Sequence, residues 1–203
     1  MRIGLFFGTF NPIHIGHLVI ANYLADHPLL DEVWLIVTPQ NPFKNRATLL
    51  SDYHRLELVH LAIESNEKLR VSNIEFKLPK PNYTVDTLVC IKEKYPQHQF
   101  SLILGEDNVR SLPKWKNYEF IIQHYPVFVY PRSPTPEEAI GNGLSSIGLL
   151  TDKYPSFVFC SDLPIMNISS TYIRNAIKNK KDIRYLVTQE VKSYIELMHF
   201  YEK

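Results

Sequence analysis

The chain has 203 residues, of which 45% are hydrophobic and 21% charged, and these fractions exclude a disordered or low-complexity protein. Lys and Arg together number 22, Asp and Glu 21, so the net charge is +1 with neutral histidines. Because proteins that bind nucleic acid usually carry a large basic excess, we expect no nucleic-acid partner.

The cysteines and the apolar segments indicate the compartment. Cys90 and Cys160 form neither a CxxC pair nor a disulfide framework. No apolar run approaches the ~20 residues of a membrane span, and the apolar start of the chain lacks the small-residue cleavage site of a signal peptide. We therefore expect a cytoplasmic protein with no membrane partner. The sequence carries no signal for its oligomeric state.

Short apolar runs alternate with segments of helical periodicity along the chain. Strands are predicted at residues 3–7, 33–37, 71–76, 100–104, 127–130 and 157–160. Helices are predicted at residues 17–27, 51–65, 84–95, 117–124, 169–179 and 189–201, with a loop rich in Pro and Gly at residues 131–152. This alternation predicts an α/β fold, a Rossmann-like doubly wound parallel sheet with helices on both faces. We expect one domain over residues 1–203, with a helical C-terminal part from about residue 169.

The segment after the first predicted strand is GTFNPIHIGH, residues 8–17, and ligands of such sheets bind beyond the carboxyl ends of the strands. Its glycines allow the backbone to approach a ligand closely. His14 and His17 lie beside the start of a predicted helix, where their N–H groups and those of the backbone would together suit a polyphosphate. A helix cap or a satisfied buried histidine explains either residue alone. A metal site has no neighbouring carboxylate or cysteine to complete it.

A second segment, ISSTYIR at residues 168–174, opens a later predicted helix. Hydroxyl groups and free N–H groups at the start of a helix form a ready anion site. Arg174 lies one turn further along and can reach the same anion with its forked donors. Taken alone, the segment is explained more simply as a Ser/Thr cap followed by a surface arginine.

Together, the two segments resemble the G(T/S)FxPxHxGH and ISSTxIR signatures of the nucleotidyltransferase superfamily. Residues 40–44 (QNPFK), 83–88 (YTVDTL), 105–107 (GED) and Trp115 extend the resemblance along nearly the whole chain. The branch that they resemble is the bacterial nicotinate-nucleotide adenylyltransferases. The resemblance implies transfer of an adenylyl group from ATP to nicotinate mononucleotide, which gives nicotinate adenine dinucleotide and pyrophosphate in NAD biosynthesis. It also implies Mg²⁺ that arrives with ATP, and no metal site on the protein.

The resemblance further implies which residues form the site. The implied catalytic residues are His14, His17, Lys44 and Arg174. ATP would be bound by Gly8, Thr9, Phe10, His14, Gly16, His17, Gly105, Asp107, Ser170, Thr171 and Arg174. The mononucleotide would be bound by Asn11, Lys44, Tyr83, Thr84, Trp115 and Tyr118. Tyr83 and Trp115 suit this role physically, because an aromatic face attracts a pyridinium cation.

Two positions depart from the family pattern. Asn11 stands where many relatives have Asp, and Phe43 stands where the family often has His before the lysine at position 44. An amide still accepts a hydrogen bond at position 11 but carries no charge. Arg46 is an alternative cation to Lys44.

Two alternative functions stay open. Because backbone N–H groups are implied to hold the nicotinate carboxylate, the side chains do not exclude nicotinamide mononucleotide as the preferred acceptor. A nucleotide-binding sensor without activity is the second alternative, since a fold does not fix a function. A fragment of a class I aminoacyl-tRNA synthetase would share His14-Ile15-Gly16-His17, but the sequence contains no KMSKS-like stretch.

Overall fold

The computed structural model describes residues 1–40, 49–132 and 156–202. Its strands are β1 (Arg2–Gly8), β2 (Glu32–Val37), β3 (Leu69–Ser72), β4 (Gln99–Gly105), β5 (Val127–Tyr130) and β6 (Phe157–Phe159). Its α-helices are α1 (Ile15–Ala25), α2 (Asp52–Ile63), α3 (Thr84–Lys94), α4 (Glu106–Ser111), α5 (Tyr118–His124), α6 (Ser170–Lys178) and α7 (Gln189–Leu197). Short 3₁₀ helices lie at Ile74–Lys77 and Leu112–Lys114.

The six strands form one parallel sheet in the order β3-β2-β1-β4-β5-β6. From β1 the chain proceeds outward through β2 and β3, then returns to the other side of β1 and continues through β4, β5 and β6. The predicted Rossmann-like doubly wound fold is confirmed. Because the strand order reverses between β1 and β4, their carboxyl ends border the crevice where ligands bind in such sheets.

Helices cover both faces of the sheet, as strands that are apolar on both sides require. Successive residues of β1 point to opposite faces: Leu5 packs into one core and Phe6 into the other. Phe6 shares its core with Leu35 and with Ile173 of α6. Leu5 shares the opposite core with Leu88 of α3. The C-terminal helices thus lie on the same face as α1 and α2.

One predicted strand is wrong in part. The alternation at residues 71–76 predicts a strand, but β3 ends at Ser72 and a 3₁₀ helix follows. The Ser72 hydroxyl accepts a hydrogen bond from the Ile74 N–H at 3.3 Å, and this local bond competes with the sheet. Glu75 is then only 1% exposed. The alternation predicts that Glu75 faces solvent from a strand, whereas its side chain is buried in the 3₁₀ helix.

Other differences concern the ends of elements. Helix α1 begins at Ile15, two residues earlier than predicted, because the extended His14 serves as its N-cap. Helix α7 ends at Leu197 rather than Tyr201. The short helix α4 was not predicted. The predictions for Phe43, Lys44 and Arg46 lie outside the described residues, as does most of the predicted loop at residues 131–152.

The guanidinium of Arg55, in α2, is fully buried and bonded on every side. Its Nη1 donates to the carbonyl oxygen of Thr9 at 2.6 Å and to that of Thr38 at 2.9 Å. Its Nε donates to the Leu50 carbonyl at 3.2 Å, and its Nη2 to Asp52 Oδ1 at 2.6 Å. A buried charge is tolerated only when paired in this way. Arg55 therefore ties the chain after β1 and the chain after β2 to the start of α2.

We predict that Arg55→Met lowers the free energy of unfolding by about 3 kcal/mol or more, because three backbone carbonyls lose their donor and each polar group left unsatisfied costs about 1–3 kcal/mol. The partly exposed Asp52 keeps its bond to Lys80. Urea denaturation of the purified variant measures this change. Lys68→Met is the matched control, since the Lys68–Asp26 pair is exposed, and it should cost less than about 1 kcal/mol. An equally small loss in Arg55→Met would contradict the structural role of the buried guanidinium.

Candidate active site

The loop after β1 is held by side chains from the second sequence motif. Arg174 Nη1 donates to the backbone carbonyl of Asn11 at 2.8 Å. The Ser170 hydroxyl donates to the carbonyl of Pro12 at 2.8 Å, a contact between residues 158 positions apart. With the Arg55 bond to Thr9, three carbonyls of this loop have long-range donors. The start of α6 is thereby docked directly beside the histidine motif.

The rings of His14 and His17 lie together at the start of α1. Their centroids are 3.7 Å apart and the rings stack at 27°. Gly16 makes room for this arrangement, because a Cβ at that position would lie 3.1 Å from the His14 ring. The edge of Phe10 packs against His17 with centroids 5.1 Å apart. The structure therefore brings the two predicted histidines to one place and fixes both rings by packing.

His14 is only 5% exposed. Burial, assisted by the positive charge of Arg132, lowers the pKa of His14 to about 4. The imidazole is consequently neutral at pH 7 in the free protein and has one N–H to donate. A bound polyphosphate would raise this pKa, because a nearby anion favours the charged ring.

The carboxyl end of β4 contributes the second wall of the crevice. A Cβ on Gly105 would lie 2.6 Å from Asp107 Oδ1 and 3.0 Å from the Tyr130 hydroxyl, so only glycine fits there without displacing its neighbours. Asp107 forms an ion pair with Arg132 at 2.5 Å. Gly105 and Asp107 thus lie together at this end of β4, and their contacts with ATP stay predictions.

Sequence reasoning missed Arg132 as a site residue. Arg132 lies two residues after β5, next to Asp107, and its charge acts on His14. The available signal was its position, since residues that follow a strand of such a sheet are the ones that meet ligands. Arg132 was missed because it lies at the start of the predicted loop at residues 131–152, in which no ligand-binding residues were predicted.

The three hydroxyl groups of the second motif have different roles: two make structural hydrogen bonds and one is exposed. The Ser169 side chain caps α6 by accepting from the Tyr172 N–H at 3.2 Å. Ser170 is used in docking to the β1 loop. Thr171 Oγ1 accepts from Arg174 Nη2 at 3.1 Å, in an exposed position. Thr171 and Arg174 thus form the part of the motif that a ligand can reach.

Four of the six residues predicted for the mononucleotide lie on two adjoining segments. Tyr83 is the N-cap of α3 and is 36% exposed, and Thr84 is the first residue of that helix. Trp115 and Tyr118 lie at the start of α5 and pack partly against the core beneath it.

Lys116 bridges these two segments. Its Nζ lies 5.0 Å from the centre of the Tyr83 ring and 2.9 Å from the Asp86 carboxylate. Since Asp86 belongs to the first turn of α3 and Lys116 follows Trp115, the bridge brings the two segments together and places a positive charge beside the predicted pocket.

Two predicted ligand residues have side chains that already serve the fold. Phe10 is 1% exposed and packs between Phe6 and His17, so only its backbone can meet ATP. The Asn11 side-chain oxygen accepts from the Leu50 N–H at 3.2 Å and from the Tyr201 hydroxyl at 2.9 Å. Their contacts with substrates stay predictions.

Within residues 1–40, 49–132 and 156–202, no three His, Cys, Asp or Glu side chains gather to form a metal site. The helices of the same ranges are all too short or too polar to cross a membrane.

Comparison with known proteins agrees with the geometry. Residues 5–176 match the cytidylyltransferase-like family. Probable nicotinate-nucleotide adenylyltransferases of Flavobacterium psychrophilum and Flavobacterium johnsoniae are 52% and 50% identical to this chain, and each match covers 100% of both proteins. The chain belongs to the nicotinate-nucleotide adenylyltransferases within that family. The resemblance predicted from the motifs, and the assignment as a nucleotidyltransferase enzyme, are confirmed.

A solved structure confirms the fold independently. The nicotinic acid mononucleotide adenylyltransferase of Plasmodium falciparum, complexed with NaAD, matches with a TM-score of 0.77. The match covers 99% of this chain and 97% of that protein at 19% identity. The parallel sheet and its helices are therefore shared despite extensive sequence divergence.

We predict that His14 makes the protein less stable as the pH falls from about 6.5 towards 4. The unfolded chain gains a proton near pH 6.5, whereas the buried ring of the folded protein gains one only near pH 4. In that interval protons favour the unfolded state, at a total cost of about 3 kcal/mol. Unfolding free energies of wild type and His14→Gln, measured from pH 7.5 to 4.5, should differ progressively, with the wild type losing more. Parallel curves would contradict the lowered pKa.

Proposed function

We propose that the crevice between β1 and β4 joins ATP to nicotinate mononucleotide, forming nicotinate adenine dinucleotide and pyrophosphate for NAD biosynthesis. The observation that carries this proposal is the docking of the second motif on the first. Because Ser170 and Arg174 bond to the loop that leads to His14, the histidine pair and the Arg174 guanidinium border one crevice at the switch point of the sheet. The relatives that are about half identical carry the matching name.

The chemistry requires positioning more than proton transfer. The phosphate of the mononucleotide is ionised at neutral pH, so it attacks the α-phosphorus of ATP without a general base, and pyrophosphate leaves. Aligning two bound reactants can contribute roughly 7–11 kcal/mol to the rate. In our proposal His14, His17 and Lys44 stabilise the charge that develops on the phosphates, while Thr171 and Arg174 hold the β- and γ-phosphates. Arg132 lies at the same crevice, where it is paired with Asp107.

The acid form of the mononucleotide fits the second pocket better than the amide form. Tyr83 and Trp115 offer aromatic faces to the pyridinium ring, and backbone N–H groups of Thr84 and Tyr118 are proposed to hold the carboxylate. Lys116, 5.0 Å from the centre of the Tyr83 ring, is already paired with the Asp86 carboxylate, so in this proposal the preference for the acid depends on the backbone donors.

Enzymes of nucleotidyl transfer generally use a divalent metal ion, and we propose Mg²⁺ for this chain. Mg²⁺ prefers oxygen ligands and keeps several waters, so it can be held mainly by ATP phosphates. Entry of the ion together with ATP stays a prediction. A single domain and a cytoplasmic location are further predictions.

Parallel reactions with nicotinate and nicotinamide mononucleotide test the proposal, each with ATP, Mg²⁺ and purified protein. We expect dinucleotide and pyrophosphate in equal amounts from the acid form, much less from the amide form, and none when EDTA replaces Mg²⁺. A faster reaction with nicotinamide mononucleotide would contradict the proposed selectivity but would still support adenylyl transfer. Binding of ATP without pyrophosphate release would instead favour a sensor.

We predict that His17→Ala lowers kcat by about 10²-fold or more, because it removes a donor aimed at the developing phosphate charge. Steady-state kinetics with both substrates saturating measure the effect, and circular dichroism checks the fold. His60→Ala, an exposed position on α2, should retain wild-type turnover. A folded His17→Ala protein with nearly normal kcat would remove His17 from the catalytic residues.

We predict that Trp115→Ala raises the KM for the mononucleotide by about 5- to 30-fold, since loss of an aromatic stacking contact costs roughly 1–2 kcal/mol. The KM for ATP should stay within about twofold. Initial rates with each substrate varied in turn separate the two constants. A rise confined to the KM for ATP would show that the assignment of Trp115 to the mononucleotide pocket is wrong.

A further inference from the structure

The C-terminal end of the chain reaches back into the loop after β1. The Tyr201 hydroxyl donates to Asn11 Oδ1 at 2.9 Å, across 190 positions of sequence. Asn11 is 2% exposed, and the same oxygen accepts from the backbone N–H of Leu50 at 3.2 Å. One amide oxygen therefore joins the motif loop, the chain that enters α2 and the end of the chain.

The backbone after α7 is shaped to make this contact. His199 and Tyr201 have φ angles of 51° and 65°, in the left-handed region that non-glycine residues seldom occupy. The Phe200 N–H donates to the Ile195 carbonyl at 3.1 Å, and the Phe200 ring packs against His54 with centroids 4.9 Å apart. These contacts end the helix and direct Tyr201 towards Asn11.

The surroundings of the Tyr201 hydroxyl keep it a donor. The charges that act on it are the guanidiniums of Arg174 and Arg55, the two arginines that hold the carbonyls of Asn11 and Thr9. Burial raises the pKa of Tyr201 well above its ordinary value, although both arginines act in the opposite direction. The hydroxyl therefore stays protonated at every pH at which the protein would be assayed.

We infer that Tyr201 is a positioning residue of the active site: its hydroxyl fixes the Asn11 side chain and, through it, the loop that leads to His14. This inference rests on the proposed function, because that function makes the loop a substrate-binding element. Tyr201 itself acts only through Asn11. A displacement of about 1 Å in such a loop can lower turnover by as much as 10²-fold.

Tyr201→Phe tests the inference, and Tyr194→Phe is its matched control. Tyr194, in α7, likewise uses its hydroxyl in a long-range hydrogen bond, to His54 Nδ1 of α2 at 3.0 Å, but this bond does not involve the motif loop. Since each variant loses one hydrogen bond, we expect Tm to fall by about 2–4 °C in both. We expect kcat to fall about tenfold in Tyr201→Phe alone, with the KM for ATP within about twofold of wild type.

A double-mutant cycle distinguishes positioning from general loss of stability. In an Asn11→Ala background the hydroxyl has lost its acceptor, so Tyr201→Phe should cause no further loss of kcat. Additive losses, a kcat of Tyr201→Phe within twofold of wild type, or an equal loss in Tyr194→Phe would each overturn the inference.

Hydrogen exchange provides a readout that does not depend on the substrate. Exchange at the Leu50 amide and in a peptide covering residues 9–14 should quicken about tenfold in Tyr201→Phe, and should not change in Tyr194→Phe. If the wild type turned over neither mononucleotide, the proposed function would fail, and this exchange would still decide whether Tyr201 holds the loop. Equal exchange in the two variants would show that it does not.

Discussion

The loop from Thr9 to Pro12 is the constraint on which the site depends. It has no regular secondary structure of its own, and its carbonyl groups need donors because they are withdrawn from water. Arg55 supplies the donor for Thr9, Arg174 for Asn11 and Ser170 for Pro12. Two segments distant in sequence, α2 and α6, thus converge on four consecutive residues. The position of His14, two residues further on, follows from this convergence.

The same bonds explain why the two sequence motifs occur together. Arg174 uses Nη1 to hold the loop and Nη2 to contact Thr171, so its planar guanidinium is oriented before any ligand binds. The His14 and His17 rings are likewise oriented, by stacking and by the Phe10 edge. Donors that are already oriented stabilise developing charge without a reorganisation cost. Such a site suits a reaction in which both reactants are ionised and neither requires a base.

The sequence predicts the sheet well for a physical reason. Strands buried on both faces must be apolar throughout, and a run such as residues 33–37 has few other interpretations. The same reasoning wrongly predicts a strand to residue 76, because a local hydrogen bond to the Ser72 hydroxyl favours a turn after β3. The motifs are short and contiguous, so His14, His17 and Arg174 can be proposed as site residues from the sequence, and the structure brings the segments that carry them together.

Residues whose roles depend on distant contacts escape sequence reasoning. Arg55 belongs to a helical pattern in which a charged residue normally faces solvent, yet it is fully buried. Tyr201 continues an apolar helical face, yet it leaves the helix and bonds to Asn11. Arg132 belongs to a loop by composition and meets Asp107 only in the folded chain. Apart from the local pair of Arg55 with Asp52, each of these partners lies 25 or more positions away or is a backbone carbonyl, and neither kind of partner leaves a pattern in the sequence.

The central claim is that this site transfers the adenylyl group in one direct step between two positioned substrates. The stereochemical course of the reaction tests it most directly. The measurement uses ATP made chiral at the α-phosphorus by sulfur substitution, with nicotinate mononucleotide as acceptor, and determines the configuration of the dinucleotide formed. A single in-line displacement predicts inversion at phosphorus. Retention would require two displacements through a covalent enzyme intermediate and would contradict the account.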